Sequence, residues 1–108
     1  MKTLKFAGNL IPLIISGKKT STWRLFDDKN LKVDDRVVFI NKSTDQEFAT
    51  AKIVAVKEKT IDEIKDEDFI GHERFESEEE MLETYRSYYG KDVTGATPVK
   101  MIEFIILS

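Results

Sequence analysis

Eight consecutive residues, Gly17-Lys18-Lys19-Thr20-Ser21-Thr22-Trp23-Arg24, hold three cations, three hydroxyls and one indole. Such a set suits anion or carbonyl recognition. Arg24 brings a planar fork of donors, Lys19 a mobile charge or a tunable base, and Thr22 a hydroxyl for binding or attack. On an extended strand Thr22 and Arg24 point the same way. A bend after Gly17 would swing Lys19 onto their face, so that ammonium, hydroxyl and guanidinium share one concave spot. Lys18 is a further candidate for ligand binding, although two lysines after a helix also complement its negative end. Trp23, alternating to the other face, is expected in the core.

The flanking sequence supplies elements to hold this segment. Lys2 to Phe6 reads as an opening strand with Leu4 and Phe6 on one face. Asn9 as N-cap, Pro12 in the first turn and Gly17 as terminator frame a short buried helix. Ser21 to Phe26 is a second strand, closed by the turn Asp27 to Asn30. The apolar run Val37 to Ile40 predicts a central strand buried on both faces. From Phe48 to Val56 alternation puts Ala49, Ala51, Ile53 and Ala55 on one face, and Phe48, Val54 and Val56 on the other.

Two capping-box spacings follow, Thr60 to Glu63 and Ser77 to Glu80. The second opens a helix whose Met81, Leu82, Tyr85, Tyr88 and Tyr89 are spaced to pack on the sheet, with Gly90 as its stop. Val99 to Leu107 is a final strand. Five or six strands with two or three short helices and short connections predict an α+β, mostly antiparallel barrel.

Length and composition fit one domain spanning residues 1–108, with 41% hydrophobic and 34% charged residues. No apolar stretch approaches the ~20 residues of a membrane span, and Met1 to Phe6 lacks a secretory signal, so a cytoplasmic monomer with no membrane partner is expected. With no Cys and a single histidine, His72, neither a cofactor nor a metal site is expected. His72 itself reads as a surface residue, because neighbours on extended chain point apart and Glu73 would turn away. A net charge of −3 argues against nonspecific coating of nucleic acid. The charges are segregated, however: Asp and Glu dominate residues 62–83, and the basic cluster lies in the first third of the chain.

The spacing of Gly17, Lys19, Thr22 and Arg24 resembles the G-x-K-x-x-T-x-R signature of the ASCH domain family. Asp35-Arg36-Val37-Val38 stands where that family usually carries Gly-Asp at a strand entry. The resemblance implies a PUA-like fold and an association with RNA. Some bacterial members of the family are amidohydrolases that remove the acetyl group of N(4)-acetylcytidine. For this chain that implies Lys19 as base, Thr22 as nucleophile, Arg24 as substrate binder, and an acidic residue ahead of the Tyr-bearing helix. Glu73 is the nearest such residue, with Glu76 and Asp68 as alternatives. Three functions thus stand: a module binding RNA, a nucleoside or a nucleotide; an amidohydrolase acting on acylated cytosine; and a protein-interaction domain using the acidic helix.

Overall fold

The longest strand, β4 (Glu47–Thr60), organises the molecule. The computed structural model describes residues 1–107. With β1 (Lys2–Phe6), β2 (Ser21–Leu25), β3 (Arg36–Asn41) and β5 (Pro98–Ile106), it forms one curled sheet in the order β1-β3-β4-β5-β2. Only β1 and β3 pair in parallel, since the chain between them makes a helix and β2 before returning. The other three pairs are antiparallel. The middle strand is β4, and β3 is an interior strand, as expected, between β1 and β4. However, β3 is not buried on both faces, for Val37 and Phe39 are sealed in the core while Val38 and Ile40 are only partly covered.

The curl has a visible cause. Phe39 pairs with Ala49 but Ile40 with Glu47, and Ile53 pairs with Phe104 but Ala55 with Glu103. Each step inserts an extra residue into β4, Phe48 in one case and Val54 in the other, and such bulges bend a strand and increase its twist. They also break the simple alternation read from sequence. Phe48 and Val56, expected opposite Ala49 and Ile53, pack against the same core.

Two clusters of buried side chains fill the curl. One joins Leu4, Phe6, Val37, Phe39, Ile53 and Phe104 to Ile14 of α1 (Ile11–Ile15). The other joins Trp23, Leu25, Val99 and Met101 to Met81 and Tyr85 of α2 (Glu78–Tyr89). α2 starts as its sequence predicts, with the Ser77 hydroxyl accepting from the Glu80 amide at 3.1 Å. α1 does not. A 3-10 turn over Gly8–Leu10 runs straight into it, so Asn9 lies inside the turn and Leu10 stands at the N-cap without a side-chain bond. Two more 3-10 turns, Ile61–Glu63 and Asp66–Phe69, lie in the connection to α2. The first was foreshadowed by its capping box, where Glu63 Oε1 accepts from the Thr60 amide at 2.9 Å. Among the described residues no helix is long and apolar enough to cross a membrane.

Candidate functional site

Main-chain hydrogen bonds hold the motif segment in place. Gly17 turns the chain with φ +81°, a left-handed conformation that glycine adopts without strain. The Lys19 amide then donates back to the Leu13 carbonyl at 2.9 Å. Immediately afterwards the Thr20 and Ser21 amides donate to the Gly71 carbonyl, at 2.9 and 3.2 Å. Gly71 is itself left-handed, at φ +76°, and an added Cβ would sit 2.0 Å from Thr20 Oγ1. Only glycine permits this approach. The contact delivers the next two residues, His72 and Glu73, to the motif from more than 45 positions away in sequence, a span visible in the Lys19–Glu73 separation of 54.

Lys19, Thr22 and Arg24 do meet. All three line one cavity of about 570 Å³, together with Glu73, His72 and Tyr85. Lys19 is 4% exposed, with Nζ donating to Glu73 Oε2 at 2.6 Å and to the Ser21 carbonyl at 2.8 Å. An ammonium has three donors, so one remains. Burial lowers the Lys19 pKa; the hydrogen bond and charge of Glu73 oppose this, Arg24 reinforces it, and the net shift is downward. For Glu73 burial acts to raise the pKa, but the neighbouring His72 and the hydrogen bond and charge of Lys19 outweigh it and hold the carboxyl below its usual range.

Arg24 ties the open sheet together. Its Nε donates to Thr22 Oγ1 at 3.3 Å, and Nη2 donates to the Lys5 carbonyl of β1 at 3.0 Å. The guanidinium also stacks 4.9 Å from the Phe6 ring centre. One side chain thus spans the two edge strands β2 and β1 and orients the hydroxyl of Thr22. The guanidinium keeps further N–H donors free of these bonds.

Other expected residues lie elsewhere or behave differently. Lys18 is exposed and does not line the cavity, because the bend that brings Lys19 inward leaves its neighbour outside. Glu76 is also exposed and away from the cavity wall. Asp68 is fully enclosed but accepts from Lys57 and Lys59, at 2.5 and 2.8 Å, and from the Lys65 amide at 2.9 Å. Of the three acidic candidates only Glu73 reaches the cavity.

His72 corrects the expectation of a surface residue. Its side chain is 6% exposed and its ring stacks on Trp23 with centres 4.0 Å apart and planes 14° from parallel. The left-handed turn at Gly71 bends the segment, so His72 and Glu73 do not diverge: Nδ1 lies 3.6 Å from Glu73 Oε2. Trp23 belongs to the second core cluster as anticipated, yet it contributes to the cavity wall as well. On α2, Tyr85 is buried and Tyr89 half-buried, whereas Tyr88, expected to pack on the sheet, is 68% exposed. Three residues beyond Tyr85, it falls on the flank of the helix, beside the cavity mouth. Among the described residues no group of three or more His, Asp and Glu is placed to hold a metal ion.

The sequence matches no family model and no curated protein. Solved structures do match. The protein EF3133 from Enterococcus faecalis V583 superposes with a TM-score of 0.76 at 14% identity, covering 92% of this chain and 70% of its own. The hypothetical protein PH0355 gives a TM-score of 0.74 at 23% identity, over 99% of this chain and 100% of that one. The ASCH domain from Lactobacillus crispatus JV V101 gives 0.72 at 12% identity, over 97% and 79%. The superposition at TM-score 0.72 persists across this low identity, so the protein, with its curled five-stranded sheet, has the α+β fold of the ASCH domain.

Proposed function

We propose that the cavity binds a nucleoside or an unstacked RNA base, its ring against the aromatic wall and its polar edge on Lys19, Thr22 and Arg24. The observation that carries this reading is the convergence of these three side chains on one cavity of about 570 Å³. That volume lies within the usual range for small-ligand sites, roughly 300–1,000 Å³. Phe6, Trp23, Phe75 and Tyr85 supply apolar and aromatic surface around the charged groups. Lys5 and Lys42 also line the cavity, where a sugar phosphate would meet them. The basic character is local, in a chain of net charge −3, so tight nonspecific binding is not expected. Cytidine and a short single-stranded RNA are the probes. Arg24→Met should weaken both by about tenfold, the effect of losing a charge-assisted hydrogen bond. Affinity unchanged in that variant would contradict the reading.

A second reading, deacetylation of N(4)-acetylcytidine, is favoured by the downward shift of the Lys19 pKa in a cavity that also holds the Thr22 hydroxyl. Neutral Lys19 would take the Thr22 proton as Oγ1 bonds to the acetyl carbon. The carbon–nitrogen bond then breaks, and Lys19 returns the proton to the departing cytosine amine. Water attacks the acetyl-threonine ester, again giving up its proton to Lys19, and acetate leaves with Thr22 restored. Amide and water have become cytidine and acetate. Arg24 would orient Thr22, and its free N–H groups would donate to the charge that develops on the carbonyl oxygen. Cytidine release from N(4)-acetylcytidine tests this, with Lys19→Met and Thr22→Val expected to slow it by about 10²–10⁴-fold. No product at high protein concentration would remove this reading and leave the first intact.

A further inference from the structure

Three buried groups on the cavity wall leave hydrogen-bonding capacity unused, and one of them is an acceptor whose identity the geometry fixes. The Nδ1 of His72 lies 2.8 Å from the carbonyl oxygen of Glu73. A carbonyl oxygen only accepts, so Nδ1 carries the ring proton. Burial, and then the charge of Lys19, push the His72 pKa down to about 4, so the ring is neutral at pH 7. A neutral ring protonated at Nδ1 has a bare lone pair at Nε2.

That lone pair meets no donor within the protein. Among the described residues no sealed side-chain nitrogen or oxygen lacks a partner, so Nε2 opens onto free space. One face of the ring is covered by Trp23, and the Nδ1 edge is held by Glu73. What remains is the Nε2 edge of a residue that lines the cavity. The same cavity is lined by the donors Lys19 and Arg24 and by Tyr85. A fixed acceptor among donors discriminates between ligands, because a ligand without a matching N–H leaves a buried lone pair unpaired.

We propose that His72 is a specificity-determining residue whose Nε2 accepts a hydrogen bond from an exocyclic N–H of the ligand, so that the cavity selects ring ligands that carry that donor over rings that lack it. The proposal rests on the nucleoside reading of the cavity and goes beyond it by assigning a role to His72 and an orientation to the ligand. Binding of cytidine and of N(4),N(4)-dimethylcytidine, which has no exocyclic N–H, is compared in the wild type, His72→Phe and His72→Gln. The phenylalanine keeps a flat ring against Trp23 without the acceptor, and the glutamine restores an acceptor. The wild type should prefer cytidine by about tenfold, His72→Phe should lose that preference, and His72→Gln should recover part of it. A preference that persists in His72→Phe would reflect steric exclusion by the methyl groups and would overturn the proposal.

A second measurement needs no ligand. The chain has a single histidine, so the imidazole nitrogen resonances are unambiguous. They should report a neutral ring protonated at Nδ1 at pH 7, with the Nε2 signal moving when cytidine is added. A proton on Nε2 in the free protein would overturn the proposal while leaving the cavity reading intact. If cytidine moves neither the Nε2 signal nor the amides of Lys19 and Arg24, the cavity reading fails and the proposal fails with it.

Discussion

Two buried charge clusters fasten the connection between β4 and α2 to the sheet, and they are built in opposite senses. At Asp68 the carboxylate is enclosed, with no exposed surface, and the lysines reach in from water, 52% and 25% exposed at Lys57 and Lys59. At Lys19 the ammonium is the enclosed partner and the carboxylate of Glu73 is 38% exposed. Asp68 takes three hydrogen bonds and is closed. Lys19 makes two side-chain bonds and keeps a donor, beside Arg24 and His72, which also have unused capacity. A buried charge whose bonds are complete holds a fold; one left incomplete next to a cavity is arranged for something that arrives later.

Substitutions separate these roles. Gly71→Ala lies between the clusters and should do the greatest harm, since it combines a strained left-handed alanine with the clash at Thr20. A loss of about 3 kcal/mol is expected in urea denaturation, together with loss of ligand binding. Asp68→Asn should cost about 2 kcal/mol by weakening the bonds from both lysines, and it should leave cytidine affinity within about twofold. Lys19→Met should change stability by less than about 1 kcal/mol, because it removes a desolvated charge while Glu73 turns to water. Equal stability losses at Asp68 and Lys19 would erase the contrast.

A pH slope separates the two regions further. The His72 pKa is lowered from 6.5 to about 4 on folding, so within that window the unfolded chain binds a proton that the folded one does not. Stability therefore rises with pH across it and is lost as pH falls towards 4. His72→Phe should flatten this part of the curve. Asp68 acts at lower pH. Burial would raise its pKa, but the hydrogen bonds from Lys57 and Lys59 hold it well below the ordinary carboxylate range. Its contribution is present above the ordinary value of 3.8 and disappears only as pH falls below that. Urea midpoints measured at successive pH values distinguish the two.

The same two regions show what a sequence makes legible. Gly17, Lys19, Thr22 and Arg24 lie within eight residues, so a strand's alternation and one glycine bend suffice to bring them together. Glu73 came from family resemblance among three carboxylates, and only the Gly71 hook distinguishes it from Asp68 and Glu76. That hook is a tertiary contact with no local period. A glycine ahead of His-Glu is the one local signal, and its meaning lies in the Thr20 side chain packed against it. His72 was misplaced for the same reason. Strand alternation likewise failed at Phe48 and Val56, because a bulge depends on the partner strand's register rather than on the residues that form it.

Calorimetric titration of cytidine into the wild type, Asp68→Asn and Lys19→Met tests most directly the claim that the incomplete cluster is the functional one. Binding should be alike in the first two and at least about tenfold weaker in the third, whose fold stays intact. Undiminished binding to Lys19→Met, or no binding to the wild type, would contradict it.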